Sequence, residues 1–198
     1  MKRLTPCLVL AAALLLVPLA PAQALTQSVD ITGGTFGAYS PATKPVVLGD
    51  KVKWTNKGSA QHTSTGDAPL SLWSSPALSP PTGNYTTTVA FTAAGTYPYH
   101  CVFHSNMHGN IQTPLALSKA GGLKISLKLS TVAADATHKF VVQRKNGANF
   151  VTLATVTTPT YVFTAPGAGT YTFRSALQKN GTTATAAFFS APKTITVP

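Results

Sequence analysis

The chain has 198 residues and carries 15 Lys plus Arg against only four acidic residues, for a formal net charge of +11. Hydrophobic residues make up 44% and charged residues 10%. This composition excludes an intrinsically disordered chain, which would combine low hydrophobicity with high charge. All four acidic residues are Asp, so no catalytic site that needs Glu can be built. Abundant Thr, Val, Ser and Gly favour short strands and tight turns over long surface helices.

The first 24 residues have the pattern of a secretory signal peptide. Lys2-Arg3 precedes an apolar run at residues 8–17, and Ala22-Gln23-Ala24 is a small-x-small cleavage site. We therefore predict a secreted or periplasmic protein with no transmembrane span after cleavage. A membrane anchor is the alternative, but the run is short for a bilayer and prolines follow it directly.

Removal of that segment leaves a single cysteine, Cys101, because Cys7 lies ahead of the apolar run. An exported chain with one cysteine forms no internal disulfide. Its thiol is therefore reactive, paired with another chain, or bound to a ligand.

Residues 25–118 are predicted to form a first domain of short strands. Apolar and polar residues alternate at 29–32, 45–48, 51–56 and 86–91, and turn residues separate these runs. Period-two alternation at this spacing indicates an antiparallel sandwich or barrel. The stretch from residue 66 to 83 is rich in Pro and Ser and is predicted to be an irregular connection.

Residues 119–198 are predicted to form a second β-domain, after a boundary turn at 119–122. The runs 140–145 and 150–156 flank Asn146-Gly147, which favours a tight hairpin because both residues tolerate positive φ. Further strands are predicted at 169–174 and 193–197. On these strands and the Ser-Ala-Pro before the last one, this half resembles a fibronectin type III or immunoglobulin-like sandwich.

Charge is unevenly divided between the two predicted domains. Residues 25–118 hold four Lys and three Asp, about +1, whereas residues 119–198 hold nine basic residues and one Asp, about +8. A basic β-module outside the cell could bind an anionic polymer of the envelope, and a solvated surface is the alternative. No basic cluster with interleaved aromatics predicts specific nucleic-acid binding.

The segment from Tyr97 to Ile111 concentrates metal-binding side chains. Cys101, His104 and Met107 fall within seven residues, and His62 lies 39 positions before Cys101. Two His and one Cys with a weak axial Met form the donor set of a type 1 copper site. Zinc is the competing ion for one Cys and two His, but the thioether of Met107 has little value to zinc.

This segment resembles the cupredoxins, and among them the amicyanins and plastocyanins. The resemblance rests on the Cys-x-x-His-x-x-Met spacing, the preceding Tyr99-His100, the Gly two places after Met107, and the upstream Gly-Asp-Lys-Val-Lys-Trp-Thr-Asn at 49–56. It implies a Greek-key β-sandwich of about 90 residues in a bacterial protein. It also implies one copper ion held by His62, Cys101, His104 and Met107, and a role in electron transfer.

The chain departs from the cupredoxin pattern at two places. Thr63 and Ser64 follow His62, where cupredoxins commonly have an Asn that links the two ligand loops; the hydroxyls could make this link instead. Phe103 and Ser105 stand where a proline is often found near the second His, so the loop is expected to be less stiff.

The resulting prediction is an exported single-electron carrier that docks transiently on a redox partner protein. The alternative is a copper storage or delivery protein, although Met107 is the only Met left after signal cleavage. We do not expect an enzyme, because five His in all are too few for a multicopper oxidase cluster. Strand alternation is expected to point His100 and His108 away from the copper, and His138 is interpreted as an ordinary core or surface residue.

Overall fold

The computed structural model describes residues 23–87 and 89–198. The predicted signal peptide therefore lies outside the described residues, apart from its last two positions. The regular structure of the described chain consists of fifteen β-strands and one 3-10 turn at Ala186–Phe188. The all-β prediction is thus confirmed.

Eight strands of the first half form two four-stranded sheets. The sheet orders are β2-β1-β4-β6 and β3-β8-β7-β5. The strands are β1 (Thr26–Thr32), β2 (Ala38–Ser40), β3 (Thr43–Pro45), β4 (Lys51–Asn56), β5 (Thr65–Gly66), β6 (Asn84–Thr86), β7 (Gly95–Cys101) and β8 (His104–Thr113).

The expectation of purely antiparallel pairing is wrong at two places in these sheets. Strand β1 runs parallel to β4, and β3 runs parallel to β8. Parallel neighbours need a long crossover rather than a tight turn. The connection from residue 33 to 50 supplies it for β1 and β4 and also contains β2 and β3. Alternation within a strand shows which face is buried but not the direction of its neighbour.

The two first-half sheets face each other across one core. In β4, Val52 and Trp54 are fully buried while Lys51 is exposed, as the alternation predicts. Tyr99 and Ile111 enter the same core from the other sheet. Side chains of two sheets that share one apolar layer make a β-sandwich.

The second half has seven strands in two further sheets. The orders are β13-β10-β9 and β12-β11-β14-β15. The strands are β9 (Ala116–Lys119), β10 (Lys124–Lys128), β11 (His138–Asn146), β12 (Asn149–Val156), β13 (Thr160–Thr164), β14 (Gly169–Lys179) and β15 (Lys193–Val197). Strand β9, which precedes the boundary turn, pairs with β10, which follows it.

The predicted hairpin between β11 and β12 is present, with a shift of its turn by one residue. Asn146 pairs with Asn149, so the two loop residues are Gly147 and Ala148 rather than Asn146 and Gly147. Gly147 has a φ of 59°, which a side chain rarely tolerates. Glycine at the first loop position is one of the arrangements that match the twist of paired strands.

The two halves share buried surface at the start of β7. Phe188 and Phe189 belong to the same core cluster as Tyr97 of the first half. The Thr96 hydroxyl donates to the Phe189 carbonyl at 2.9 Å. This contact lies at the opposite end of β7 from Cys101, so the second half packs away from the predicted metal site.

Within residues 23–87 and 89–198, no helix has the length and apolar character that a membrane crossing requires.

The contact between the halves predicts a stability effect at Phe188, which is 8% exposed. Phe188→Ala should lower the free energy of unfolding by about 3 kcal/mol, because it removes a buried ring and leaves a cavity. The matched control is Phe36→Ala, because Phe36 is 94% exposed, and it should change the free energy by less than about 0.5 kcal/mol. Urea denaturation measures both, and equal effects would contradict the packing.

Candidate metal centre

A two-residue turn brings Cys101 and His104 together. Cys101 ends β7, His104 begins β8, and the two residues pair across the hairpin. Strand β8 begins at His104, whose backbone already pairs with β7, and the pairing register shifts between His100 and Cys101.

His62 approaches from the segment that precedes β5. Its backbone N–H and C=O bond to the C=O and N–H of Leu78. The Asn56 side-chain amide donates to the carbonyls of Ala60 and Leu78, at 2.8 and 2.7 Å. It thereby links the chain just before His62 to the residue that pairs with His62. The imidazole of His62 is fully buried. A residue distant in sequence is thereby held rigidly beside the hairpin.

Three donor atoms converge at this point. One ligand atom from each of His62, Cys101 and His104 lies within 4.8 Å of the others. The Cys101 Sγ is 3.9 Å from the His62 Nδ1 and 3.4 Å from the His104 Nδ1. The two imidazole centroids are 4.7 Å apart. Within the described part of the chain this is the one such group of His, Cys and Asp side chains.

Met107 is buried in β8, three residues after His104. Its side chain is 2% exposed and belongs to the first-half core. Together with His104 it lines a surface cavity of about 390 Å³. The thioether therefore comes from the same strand as His104 and lies on the buried side of β8.

Thr63 links the two segments that carry the donors. Its backbone N–H donates to the Cys101 Sγ at 3.3 Å, and its hydroxyl accepts the Val102 N–H at 2.9 Å. The Tyr39 hydroxyl donates to its carbonyl at 2.5 Å. The prediction that a hydroxyl after His62 joins the ligand segments is confirmed for Thr63. The Ser64 hydroxyl instead accepts the Trp73 indole N–H.

The imidazole of His62 is enclosed by backbone. A Cβ on Gly37 would lie 2.2 Å from the His62 Cε1, so only glycine fits there. Burial first, and then the neighbouring His104, hold the pKa of His62 below its usual range. A backbone hydrogen bond with Gly33 acts in the opposite direction, but the buried Nε2 has no partner of good hydrogen-bond geometry among the described residues. A neutral imidazole is the form that binds metal.

The four predicted ligand residues differ in exposure. His62, Cys101 and Met107 are buried, whereas His104 is partly exposed. Two aromatic rings are exposed beside His104: Phe36 is 94% exposed and Phe103 is 52% exposed. Phe36, Phe103 and His104 line the same cavity.

The other histidines lie outside the group of three. His100 and His108 pair across β7 and β8, and His100 contacts the Asp67 carboxylate rather than Cys101. The expectation that they point away from Cys101 is confirmed. His138 bonds Asp135 in the second half.

Sequence reasoning missed several residues that shape the site. Gly37 lies in a Gly-rich turn that carries no metal-binding signal, and Tyr39 is a strand residue like many others. Tyr99 and Gly109 were noted only as part of a resemblance. In the structure a Cβ on Gly109 would lie 2.4 Å from the Tyr99 ring, so this glycine lets the ring pack under the hairpin.

No protein-family model matches the chain, and no curated protein matches it. Several solved structures do, over less than half of the chain. A purple cupredoxin from Nitrosopumilus maritimus is 26% identical and matches over 44% of this chain and 98% of its own, with a TM-score of 0.40. A mutant amicyanin in its reduced state is 30% identical over 44% and 81%, with a TM-score of 0.39. The plastocyanin of the fern Dryopteris crassirhizoma is 22% identical over 43% and 98%, with a TM-score of 0.38.

The contact of Gly37 with His62 predicts a specific defect. Gly37→Ala should displace the imidazole and weaken Cu(II) binding at least tenfold, because the added Cβ would overlap the ring. The matched control is Gly167→Ala, whose Cβ meets no atom within 4 Å. Isothermal titration with Cu(II) measures both, and equal affinity in the two variants would show that His62 is not a ligand.

Proposed function

We propose that this protein binds one copper ion through His62, Cys101, His104 and Met107 and transfers single electrons between redox partners, as cupredoxins do. The observation that carries the proposal is the convergence of three donors from two separate segments, the His62 segment and the β7–β8 hairpin.

The donor spacing fits one small ion. Ligands bound to a common ion at about 2.0–2.3 Å lie roughly 3–4 Å from one another, and the two Sγ–Nδ1 distances are 3.9 and 3.4 Å. A thiolate and a thioether are soft ligands that favour copper. The buried Met107 thioether is the donor that argues against zinc. Bound copper would supply a one-electron couple between Cu(I) and Cu(II).

The residues around the donors keep the site dry and in one arrangement. The fully buried His62 and the nearly buried Cys101 exclude water. Thr63 fixes the sulfur through its N–H, and hydrogen bonds of this kind tune the potential of a copper–thiolate centre. A site held in place by its surroundings changes little between two oxidation states.

His104 is the proposed entry and exit point for electrons, because it is the donor with an exposed edge. The apolar rim formed by Phe36 and Phe103 would desolvate readily against a partner. A small apolar patch suits the weak, short-lived docking of electron carriers.

Three further parts of the proposal rest on the sequence. Export follows from the signal-peptide pattern at residues 1–24. Binding of the basic second half to an anionic envelope polymer is proposed from its charge of about +8 alone, with a solvated surface as the alternative. Copper storage or delivery is the alternative function, and a stoichiometry well above one tightly held ion would favour it.

The optical spectrum tests the copper site directly. The copper-loaded protein should show an intense thiolate-to-copper band in the red and a type 1 EPR signal. Cys101→Ser should abolish the band, because the thiolate supplies the transition. Met107→Gln should keep the band and lower the reduction potential. His138→Gln is the control and should change neither. A copper-loaded protein without this band would rule out a blue-copper centre.

The apolar rim can be tested without a known partner. Phe103→Lys should slow electron self-exchange at least tenfold, because two copies meeting at His104 would then place like charges together. Val162→Lys adds the same charge at an exposed position of β13 and should have little effect. NMR line broadening in mixtures of Cu(I) and Cu(II) protein gives the rate. Equal slowing in both variants would indicate a general charge effect and no docking at the rim.

A further inference from the structure

Two histidines stand side by side on the outer face of the hairpin that carries Cys101 and His104. His100 of β7 and His108 of β8 are direct cross-strand partners. Their ring centroids lie 6.4 Å apart. Side chains opposite each other in an antiparallel pair project from the same face of the sheet. These two imidazoles are therefore neighbours at the surface.

Each of these rings has one nitrogen already bound to an acceptor. The His100 Nδ1 lies 2.5 Å from the Asp67 Oδ1. The His108 Nε2 lies 2.7 Å from the Ser105 carbonyl oxygen. A carbonyl only accepts, so the His108 Nε2 carries a proton, and a carboxylate fixes the proton of His100 on Nδ1 in the same way. The His100 Nε2 and the His108 Nδ1 are left with lone pairs.

This hydrogen-bonding pattern is the one found around metal-binding histidines. Such residues almost always donate their second ring N–H to a carboxylate or a backbone carbonyl, which orients the ring and raises its basicity. Here both kinds of acceptor are present, one for each ring. The Asp67 backbone N–H in turn donates to the Pro98 carbonyl at 2.9 Å, which anchors the carboxylate beside β7.

The ring separation is within reach of a single ion. Metal–nitrogen bonds of about 2.0–2.1 Å place each ring centroid about 3.2 Å from the ion, so two rings whose centroids are 6.4 Å apart can share one ion only with their nitrogens on opposite sides of it. Two such opposite nitrogens fit the square-planar geometry that Cu(II) prefers. Water would complete the coordination, because His100 is 34% exposed in its side chain.

We infer that His100 and His108 form a second, surface metal site for a borderline divalent ion, with Asp67 as a positioning residue for His100. Among such ions, two imidazoles bind Cu(II) most tightly. The site is separate from the thiolate centre, since it lies on the opposite face of the hairpin. It requires neither Cys101 nor an electron-transfer role.

In the test, mercury first occupies the site at Cys101, so that Cu(II) binding at His100 and His108 is measured separately. Cys7→Ser leaves Cys101 as the sole thiol of the full chain, and one equivalent of Hg(II) then occupies that thiol. Cu(II) is titrated into this protein and followed by EPR. We expect one bound Cu(II) whose signal shows coupling to two imidazole nitrogens and no blue band.

Three variants and one control locate that Cu(II). His100→Gln and His108→Gln should each weaken Cu(II) binding at least tenfold. Asp67→Asn should weaken it about tenfold, as loss of an orienting partner does, while the EPR signal at saturation keeps two coupled nitrogens. His138→Gln removes another histidine that has a carboxylate partner and should leave the affinity unchanged.

The inference is overturned if the mercury-filled protein binds no Cu(II), or if its affinity is the same in His100→Gln and His108→Gln as in the parent protein. Loss of binding only in His138→Gln would overturn it as well, because the ion would then lie in the second half. The mercury-filled protein contains no blue-copper centre. The result is therefore independent of the optical spectrum that tests the proposed function.

Discussion

The convergence of His62, Cys101 and His104 depends on three hydrogen bonds made by Thr63. Its N–H donates to the Cys101 sulfur, its hydroxyl accepts from Val102, and its carbonyl accepts from Tyr39. Each polar group of this buried residue thus has a partner, two of them in the β7–β8 hairpin and the third in β2. Burial raises the pKa of the Tyr39 hydroxyl, so this group stays protonated and remains a donor. Since His62 is the preceding residue, its position relative to the thiol follows from these bonds.

A cluster of aromatic rings packs against Tyr39, the residue that bonds to the Thr63 carbonyl. The Tyr99 ring lies 4.5 Å from Tyr39 and 5.3 Å from Trp54, measured between centroids. Trp73 stacks on Trp54 at 5.6 Å, and its indole N–H bonds to Ser64. Rings packed at these distances leave few alternative rotamers. Side chains that pack on such a cluster keep one arrangement. A fixed arrangement is the property that the proposed electron transfer requires.

The sequence singled out His62, Cys101 and His104, which the structure brings together, because their chemistry is unusual. It predicted six of the fifteen strands from their apolar residues and flanking turns, whereas the predicted runs at 45–48 and 86–91 meet a strand only at their first residue. Strand β4 and the strand at 193–197 were placed at the correct residues. Strand direction and register could not be predicted from the sequence, because they depend on backbone partners elsewhere in the chain. Examples are the parallel pairing of β1 with β4, the one-residue shift of the turn at Gly147, and the start of β8 at His104. The role of Gly37 could not be predicted for a similar reason, because it comes from contact with the His62 ring, 25 positions away in the chain.

The two faces of the hairpin carry different kinds of proposed metal-binding side chain. The sulfur atoms of Cys101 and Met107 are buried in the core, whereas His100 and His108 point outward, beside solvent and a carboxylate. In a dry interior a thiolate is most favourable with a soft ion that offsets its charge. At the surface, imidazoles with water suit borderline divalent ions. The register shift between His100 and Cys101 places the Cys101 thiol opposite His104. The same strands keep His100 and His108 paired on the outer face of the hairpin.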